Sequence, residues 1–239
     1  MLLRRITEHV KAQNWTAVAL DFIIVVVGVF MGIQLGNWND TRSERFDTAV
    51  ALERLHEDFD LILGQTERSL TRHEGFIKAT ARVLNGARTG DYVEESLLDD
   101  LQRIADVSVP SGPSATYAEL VASGRLKLID NEELRRSLKS YDDYVTLVRS
   151  EYGIFTDSLT QTRDVLLRAQ TLEVSGVPNP DLDDVSRAID VDRDLLSNDH
   201  EIRNQLQIAY AVQDNIYAIL YRNRGEILKI IEMIEEEME

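Results

Sequence analysis

Five oxygen-bearing side chains in the last quarter of the chain have the spacing of a calcium loop. They lie in DVDRDLLSNDHE, residues 190–201, and are Asp190, Asp192, Asp194, Asn198 and Glu201. These are positions 1, 3, 5, 9 and 12 of the loop that binds Ca²⁺ in EF-hand proteins. The sixth position, where the sharp turn requires glycine, is Leu195, and acidic residues before a helix also serve as ordinary caps. The segment is therefore an incomplete calcium motif, and we expect no bound metal or cofactor.

The histidines do not form a recognisable metal or catalytic motif; they are His9, His56, His73 and His200. His56 has two acidic residues within helical reach, a layout that can bind a metal but more often forms a solvated charged face. His73 falls on the seam of a predicted helix, where we expect a hydrogen-bonded bundle residue. The sequence contains no phosphate loop, dinucleotide fingerprint, G-x-S-x-G motif or cysteine. These observations argue against an enzyme.

A single carboxylate and three glycines mark one face of the apolar stretch ALDFIIVVVGVFMGIQLGNWND, residues 19–40. Gly28, Gly32 and Gly36 recur every four residues, so one helix face lacks side chains and another helix can approach closely. Asp21 lies seven residues before Gly28 on the same face, where an intramembrane acid usually meets a partner helix. Alternatively, Asp21 sits at the level of the lipid headgroups and reaches toward water. We treat these four residues as the candidate for transmembrane association.

The same stretch is long enough to cross a membrane. The 19 residues from Ala17 to Leu35 contain Asp21 as their only ionisable residue, and a span needs about 20 apolar residues. Trp15 and Trp38 flank the run as candidate interfacial anchors. A buried core helix and a cleavable signal peptide are the alternatives, but the helix has no polar stripe and no A-x-A-like cleavage site follows it. The sequence therefore predicts a retained anchor.

Charge around the span predicts its orientation. Arg4, Arg5 and Lys11 precede it, and basic residues favour the cytoplasmic side. We expect the N-terminus in the cytoplasm and the remaining chain outside it, in the periplasm if the membrane is a bacterial inner membrane. The predicted domains are a cytoplasmic amphipathic segment (1–16), a transmembrane helix (17–36) and a periplasmic long-helix bundle (37–239).

The composition predicts an all-α body. Only 4 prolines and 12 glycines occur in 239 residues, which favours long helices over a turn-rich β fold. The net charge of −16 excludes nucleic-acid binding as a main role, because that role needs a basic surface. Apolar residues spaced by three and four predict one N-terminal transmembrane helix followed by a bundle of long antiparallel helices with a short-helix insertion.

The predicted long helices cover residues 41–84, residues 131–172, and the chain from Asn198 to the C-terminus. Asp130 or Asn131 is expected to cap the second helix, and Asn198 the third. Polar residues interrupt the seams of the first and third helices, and Gln213 and Asn223 either fix the register or lie at exposed edges. Short helices are expected at 93–106 and 115–123. We expect the second long helix to run back along the first, and the third to reverse again after a turn at 175–184.

Two stretches resemble a known family. WTAVALDFIIVVVGVFMGIQLGNWND and ATYAELVASGRLKLIDNEELRRSLKSY are similar to segments of a large group of bacterial single-span proteins catalogued as a domain of unknown function. The resemblance covers about a third of the chain. It implies a membrane anchor and supplies no reaction.

These features together predict a membrane-anchored scaffold or accessory subunit. Its partners would be the lipid bilayer, further copies of the chain in a homo-oligomer, and another membrane protein complex. An ion-driven energy-transducing subunit that uses the carboxylate of Asp21 is one alternative, since flagellar stator subunits and TonB-type couplers share this layout. A sensor ectodomain is the other, although the first 16 residues offer little cytoplasmic output.

Overall fold

The computed structural model describes residues 15–108, 111–174 and 186–239, and these residues are almost entirely helical. The predicted all-α class is therefore confirmed. In chain order the elements are α1 (Trp15–Thr89), α2 (Leu97–Arg103), α3 (Ala115–Ala122), α4 (Glu132–Leu166), β1 (Gln170–Val174), β2 (Ser186–Val191), α5 (Arg193–Asn198) and α6 (His200–Met238). Short 3₁₀ turns follow α3 and α4.

The chain divides into two compact units, and the boundary falls inside α1 between Ala51 and Leu52. In the N-terminal unit, α1 leaves its side chains exposed from Phe22 to Phe46. The second unit, Leu52–Glu239, contains the hydrophobic core. We call this second unit the body.

The direction of the long helices in the body differs from the prediction. On α1, His56 contacts Glu235 and His73 contacts Gln213 of α6. On α4, Ser137 contacts Met233 and Thr162 contacts Gln205 of the same helix. Because the numbers rise on α1 and α4 as they fall on α6, the third long helix is antiparallel to both of the others. The second long helix, α4, therefore runs parallel to α1, and the expectation that it runs back along α1 was wrong.

The described residues between 92 and 130, namely 92–108 and 111–130, make the return that had been assigned to α4. Asp100 contacts Arg82 near the end of α1, whereas Glu119 contacts Arg54 near the start of the body. This stretch, which we call the descending leg, thus runs the length of the body antiparallel to α1. The body is an up-down-up-down bundle in which one of the four legs is only partly helical.

The seam predicted for the third long helix is confirmed. All ten of its positions are buried on α6: Ile202, Leu206, Ala209, Gln213, Ile216, Leu220, Asn223, Ile227, Ile230 and Ile234. On α4 the two ends of the predicted seam are buried, but Val148, Tyr152 and Phe155 in the middle are only partly so. Gln213 and Asn223 lie inside the bundle, which excludes the alternative of exposed edges for both.

On α1 the predicted seam, in which polar residues interrupt the apolar ones, is fully buried at every second position. Phe59, Thr66, His73 and Thr80 are fully buried, whereas Leu63, Leu70, Ile77 and Leu84 between them are only partly buried. The centre of this face is therefore polar along several turns, and Ser69 beside it is buried as well. The descending leg supplies the reason, as described below.

A two-stranded hairpin replaces the predicted end of the second helix. Strands β1 and β2 pair antiparallel, with Gln170 opposite Val191 and Leu172 opposite Ala188, and an irregularity follows Thr171 because Ile189 is the extra residue. The prediction of helix to residue 172 was therefore wrong by several residues. The turn predicted at 175–184 lies outside the described residues.

Caps explain where the long helices begin and end. Asn131 caps α4 by accepting hydrogen bonds from the backbone N–H groups of Glu133 and Leu134, as predicted. At α6 the cap is Asp199 rather than Asn198. Helix α1 ends before Gly90, whose φ of +77° lies in the left-handed region that glycine adopts without steric cost.

Candidate functional site

The predicted association face lies on α1. Gly28, Gly32 and Gly36 are helical, and a Cβ atom built on any of them has no neighbour within 4 Å. Neighbouring apolar residues such as Phe22 and Phe30 are exposed. Asp21 is in the same helix, but its side chain lies outside the described part of the structure. The backbone thus places three glycines on one open helix side, which is the surface that close helix packing requires.

Among the residues that the structure describes, one helix is long and apolar enough to cross a membrane, and it lies near the N-terminus. Of the two candidate anchors, Trp38 is exposed and the side chain of Trp15 is not described. The guanidinium carbon of Arg42 lies 5.8 Å from the centre of the Trp38 ring, within range of a cation–π contact. A Trp next to an Arg, one turn beyond an apolar run, is typical of a membrane–water interface.

The second candidate region is the irregular part of the descending leg, residues 104–108 and 111–114, inside the body. Much of its backbone is buried without helical hydrogen bonds, and buried backbone groups need partners. Side chains from all three long helices supply them. Tyr152 of α4 donates to the Ser108 carbonyl, Tyr141 to the Gly112 carbonyl at 3.3 Å, and Gln213 of α6 to the carbonyls of Ile104 and Asp106.

His73 completes this network from α1. Its Nε2 accepts from the backbone N–H of Ser108 at 3.4 Å, and its Nδ1 lies 2.8 Å from Oε1 of Gln213. Because a backbone N–H can only donate, the proton of the neutral ring must be on Nδ1, facing Gln213. Burial lowers the pKa of His73, and the nearby charge of Arg72 acts in the same direction. His73 is thus the hydrogen-bonded bundle residue that its position on the seam predicted.

Two further positions on α1 bind the same leg. Thr66 and Ser111 have their hydroxyl oxygens 2.8 Å apart, and Asp58 accepts from the Ser114 hydroxyl at 2.7 Å and the Thr116 N–H at 2.9 Å. Burial opposes ionisation of Asp58, but these hydrogen bonds outweigh it, so the pKa of Asp58 lies below its usual value. Asp58, Thr66 and His73 of α1 therefore all pair with the descending leg.

Burial also shifts the pKa values of the two tyrosines in this network. Burial raises the pKa of Tyr152 to about 12 and raises that of Tyr141 as well. Both phenols are consequently neutral and can donate at neutral pH. The arrangement holds the irregular segment in place.

The calcium candidates are distributed over several elements. Asp190 lies on β2, Asp192 caps α5 by accepting from the Leu195 N–H, and Asp194 accepts from the Asn198 amide one turn later. Glu201 and the cap Asp199 pair with Arg168. The segment is therefore a strand, a short helix and a helix start, in which Asp192 and Asp199 are helix caps and Asp199 and Glu201 are ion-pair partners.

The other histidines have separate surroundings. His56 lies 3.3 Å from Asp60 and 3.2 Å from Glu235 and thus joins α1 to α6. His200 begins α6, and its Nδ1 accepts from Asn204 at 3.2 Å. His9 lies outside the described residues. Within the described ranges, no group of three or more metal-ligating side chains has a geometry suited to a metal ion.

Sequence reasoning missed the irregular segment as an element, although its partners were visible. Thr66, His73 and Gln213 break otherwise apolar seams, and such breaks indicate that something other than an apolar side chain is packed there. Neither the partner nor the direction of the leg can be read from them.

Comparisons of the chain with known protein families, curated proteins and solved structures find no match.

Proposed function

We propose that this protein is a single-span membrane protein whose helical body acts as a scaffold or accessory subunit, through self-association and protein partners, without catalysis of its own. The observation that carries the proposal is the exposure of the large apolar side chains from Phe22 to Leu35, which ranges from 43% to 67%. A soluble protein rarely leaves a continuous apolar surface of this size in water. In a lipid bilayer the same side chains contact acyl chains instead of water, so their exposure carries no hydrophobic penalty.

The proposed location is the bacterial inner membrane, with the body in the periplasm. The support is the basic segment that precedes the span, since Arg and Lys are retained on the cytoplasmic side. The negative charge of the body is a second support. The anionic lipids of the cytoplasmic leaflet would repel an acidic body in the cytoplasm, and this repulsion is absent on the periplasmic side. Partners of the body would meet a surface with isolated apolar positions, such as Leu147 and Ile154 of α4, which are 55% and 70% exposed.

Self-association is proposed through the face that carries Asp21, Gly28 and Gly32. Apolar residues gain nothing by leaving lipid for another helix, so close packing of small residues and interhelical hydrogen bonds provide the attraction. A flat strip of three glycines on one helix side is the surface that favours such packing.

Cysteine scanning tests this face in the full-length protein in its membrane. The chain has no cysteine, so single Cys substitutions from Phe22 to Trp38 can be oxidised to disulfide-linked dimers without background. We expect crosslinking to peak at positions 28 and 32 with a period near 3.6. Uniform crosslinking, or a maximum at Val26 and Phe30 on the opposite side, would contradict the proposed face.

A double substitution of two glycines is a second test of the association face. Replacing Gly28 and Gly32 by Leu adds bulk to the face and should lower dimer yield of the isolated span in micelles severalfold. Replacing Val26 and Phe30 by Leu is the matched control and should leave the yield unchanged. Equal dimer in both variants would show that the glycine side only contacts lipid.

A further inference from the structure

A cleft in the body lies between the last turns of α1 and the first turns of α6. It has a volume of about 700 Å³, and its lining includes Leu84, Asn85 and Arg88 of α1 and His200, Arg203 and Asn204 of α6. Sites for small organic ligands typically enclose about 300 to 1,000 Å³. The cleft is therefore large enough for a metabolite-sized molecule.

The charge of the cleft is opposite to that of the protein. The chain has 42 acidic residues, yet the lining contains no Asp or Glu and contributes Arg88, Arg203 and His200. Elsewhere in the body several arginines pair with carboxylates, as Arg82 does with Asp100 and Arg193 with Glu94. Within the described part of the chain, neither Arg88 nor Arg203 has a carboxylate partner. The walls thus form a local positive surface on an acidic molecule.

Helix position explains only one of the two arginines. Arg88 is in the last turn of α1, where a cation is stabilised by the negative end of the helix dipole. Arg203 and His200 are in the first turn of α6, where the dipole is positive and a cation is disfavoured. An anion between the two walls would neutralise Arg203 and meet the favourable end of α6.

Neighbouring side chains orient the positive groups and leave hydrogen-bond donors free. Asn85 Oδ1 accepts from the guanidinium of Arg88 at 2.8 Å, which holds that group at the cleft and leaves the amide of Asn85 as a donor. The contact between Asn204 and Nδ1 of His200 places the proton of the neutral ring on Nε2. Ala81 and Leu84 provide apolar wall for a carbon skeleton.

We propose that this cleft binds a small organic anion that carries a carboxylate or phosphate group on an apolar or aromatic body. The guanidinium groups of Arg88 and Arg203 would contact the anionic oxygens, because planar guanidinium matches both groups in a bidentate geometry. The apolar part would lie on Leu84, with Tyr210 at the rim. This function is separate from the self-association proposed above, and each can fail without the other.

The test is calorimetric titration of the full-length protein in uncharged detergent micelles at pH 7 with four probes. Phenyl phosphate and phthalate are the two anion arms, and phenyltrimethylammonium and benzyl alcohol are the cationic and neutral controls. We expect at least one anion to bind with a Kd below 1 mM. Its binding should weaken as the salt concentration is raised, and its affinity should be at least ten times that of either control. The better anion identifies the phosphate or the carboxylate as the preferred group.

Variants tie the binding to the cleft. Arg88→Gln with Arg203→Gln should weaken the anion at least tenfold, while Arg103→Gln with Arg136→Gln, which removes two exposed arginines elsewhere, should leave affinity unchanged. Leu84→Trp fills the cleft without changing charge and should also abolish binding; far-ultraviolet circular dichroism verifies that each variant is folded. Failure of both anions to bind with a Kd below 1 mM, equal affinity for the cation, or unchanged affinity in the cleft variants would overturn the proposal.

Discussion

His73 shows how one residue can make the stability of the body depend on pH. Its ring is buried between the Ser108 N–H and the Gln213 amide oxygen, and burial lowers its pKa below 6.5. The unfolded chain therefore binds a proton more readily than the folded chain. The contribution of His73 to the free energy of unfolding is fully present above pH 6.5. It is lost as the pH falls through the lower pKa that this histidine has in the folded chain.

We expect the free energy of unfolding of the wild type to decrease as the pH is lowered from 7 to 5, above the range in which ordinary carboxylates titrate. His73→Gln retains a donor for Gln213 and an acceptor for Ser108, so this variant should lose most of the dependence. His73→Leu leaves both partners unpaired and should cost about 2 to 5 kcal/mol at pH 7. Urea titration followed by circular dichroism measures all three, and equal slopes with pH for wild type and His73→Gln would contradict the assignment.

At the scale of elements, the end of α1 is fixed to the next segment through one glycine. A Cβ on Gly86 would lie 2.4 Å from Cδ1 of Tyr92, and the Tyr92 hydroxyl is 2.8 Å from that of Ser197. The ring cannot retreat without breaking this contact to α5. Gly86 is therefore required by close approach rather than by backbone conformation.

Gly86→Ala should destabilise the body by about 1 to 3 kcal/mol, the usual cost of an overpacked core. Gly75→Ala is the matched control on the same helix, since its Cβ would meet nothing within 4 Å, and it should stabilise by roughly 0.5 to 1 kcal/mol. Thermal melting of both variants decides the matter. Similar shifts in Tm for the two would show that Tyr92 can move aside.

At the scale of the whole molecule, the charge before the span predicts the side on which the body resides. A periplasmic phosphatase fused after Glu239 should be active in bacterial cells, and a reporter that works only in the cytoplasm should be inactive at the same site. The reverse pattern would place the body in the cytoplasm. Fusing each reporter before residue 1 is the control and should give the opposite result.

The sequence predicts those parts of the fold that depend on local periodicity. Every position of the α6 seam is buried, because an unbroken repeat of three and four allows only one face to be packed. The parallel course of α1 and α4 was missed because direction depends on what residues 92–130 do, and these form short helices joined by irregular chain. The hairpin was missed for a similar reason, since strands of five and six residues beside a long heptad carry little periodic signal.

The two candidate surfaces also differ in whether the sequence alone could reveal them. The glycine face was found from sequence because its three members belong to one helix. The cleft was not, because Arg88 and Arg203 are 115 positions apart in the chain and meet only through the antiparallel pairing of α1 with α6. Surfaces shared by distant elements need the fold before they can be recognised.

The sequence distance between His73 and its partner Gln213, 140 residues, has a consequence for biosynthesis. At about 5 to 20 residues per second, the ribosome needs roughly 7 to 28 s to produce Gln213 after His73 has been made. During that interval α1 has left the ribosome with a stripe that is half polar and half apolar, and no α6 to cover it. The interval is far longer than the ~1 μs in which a helix forms, so the face of α1 that α6 buries in the finished body stays uncovered for several seconds of synthesis.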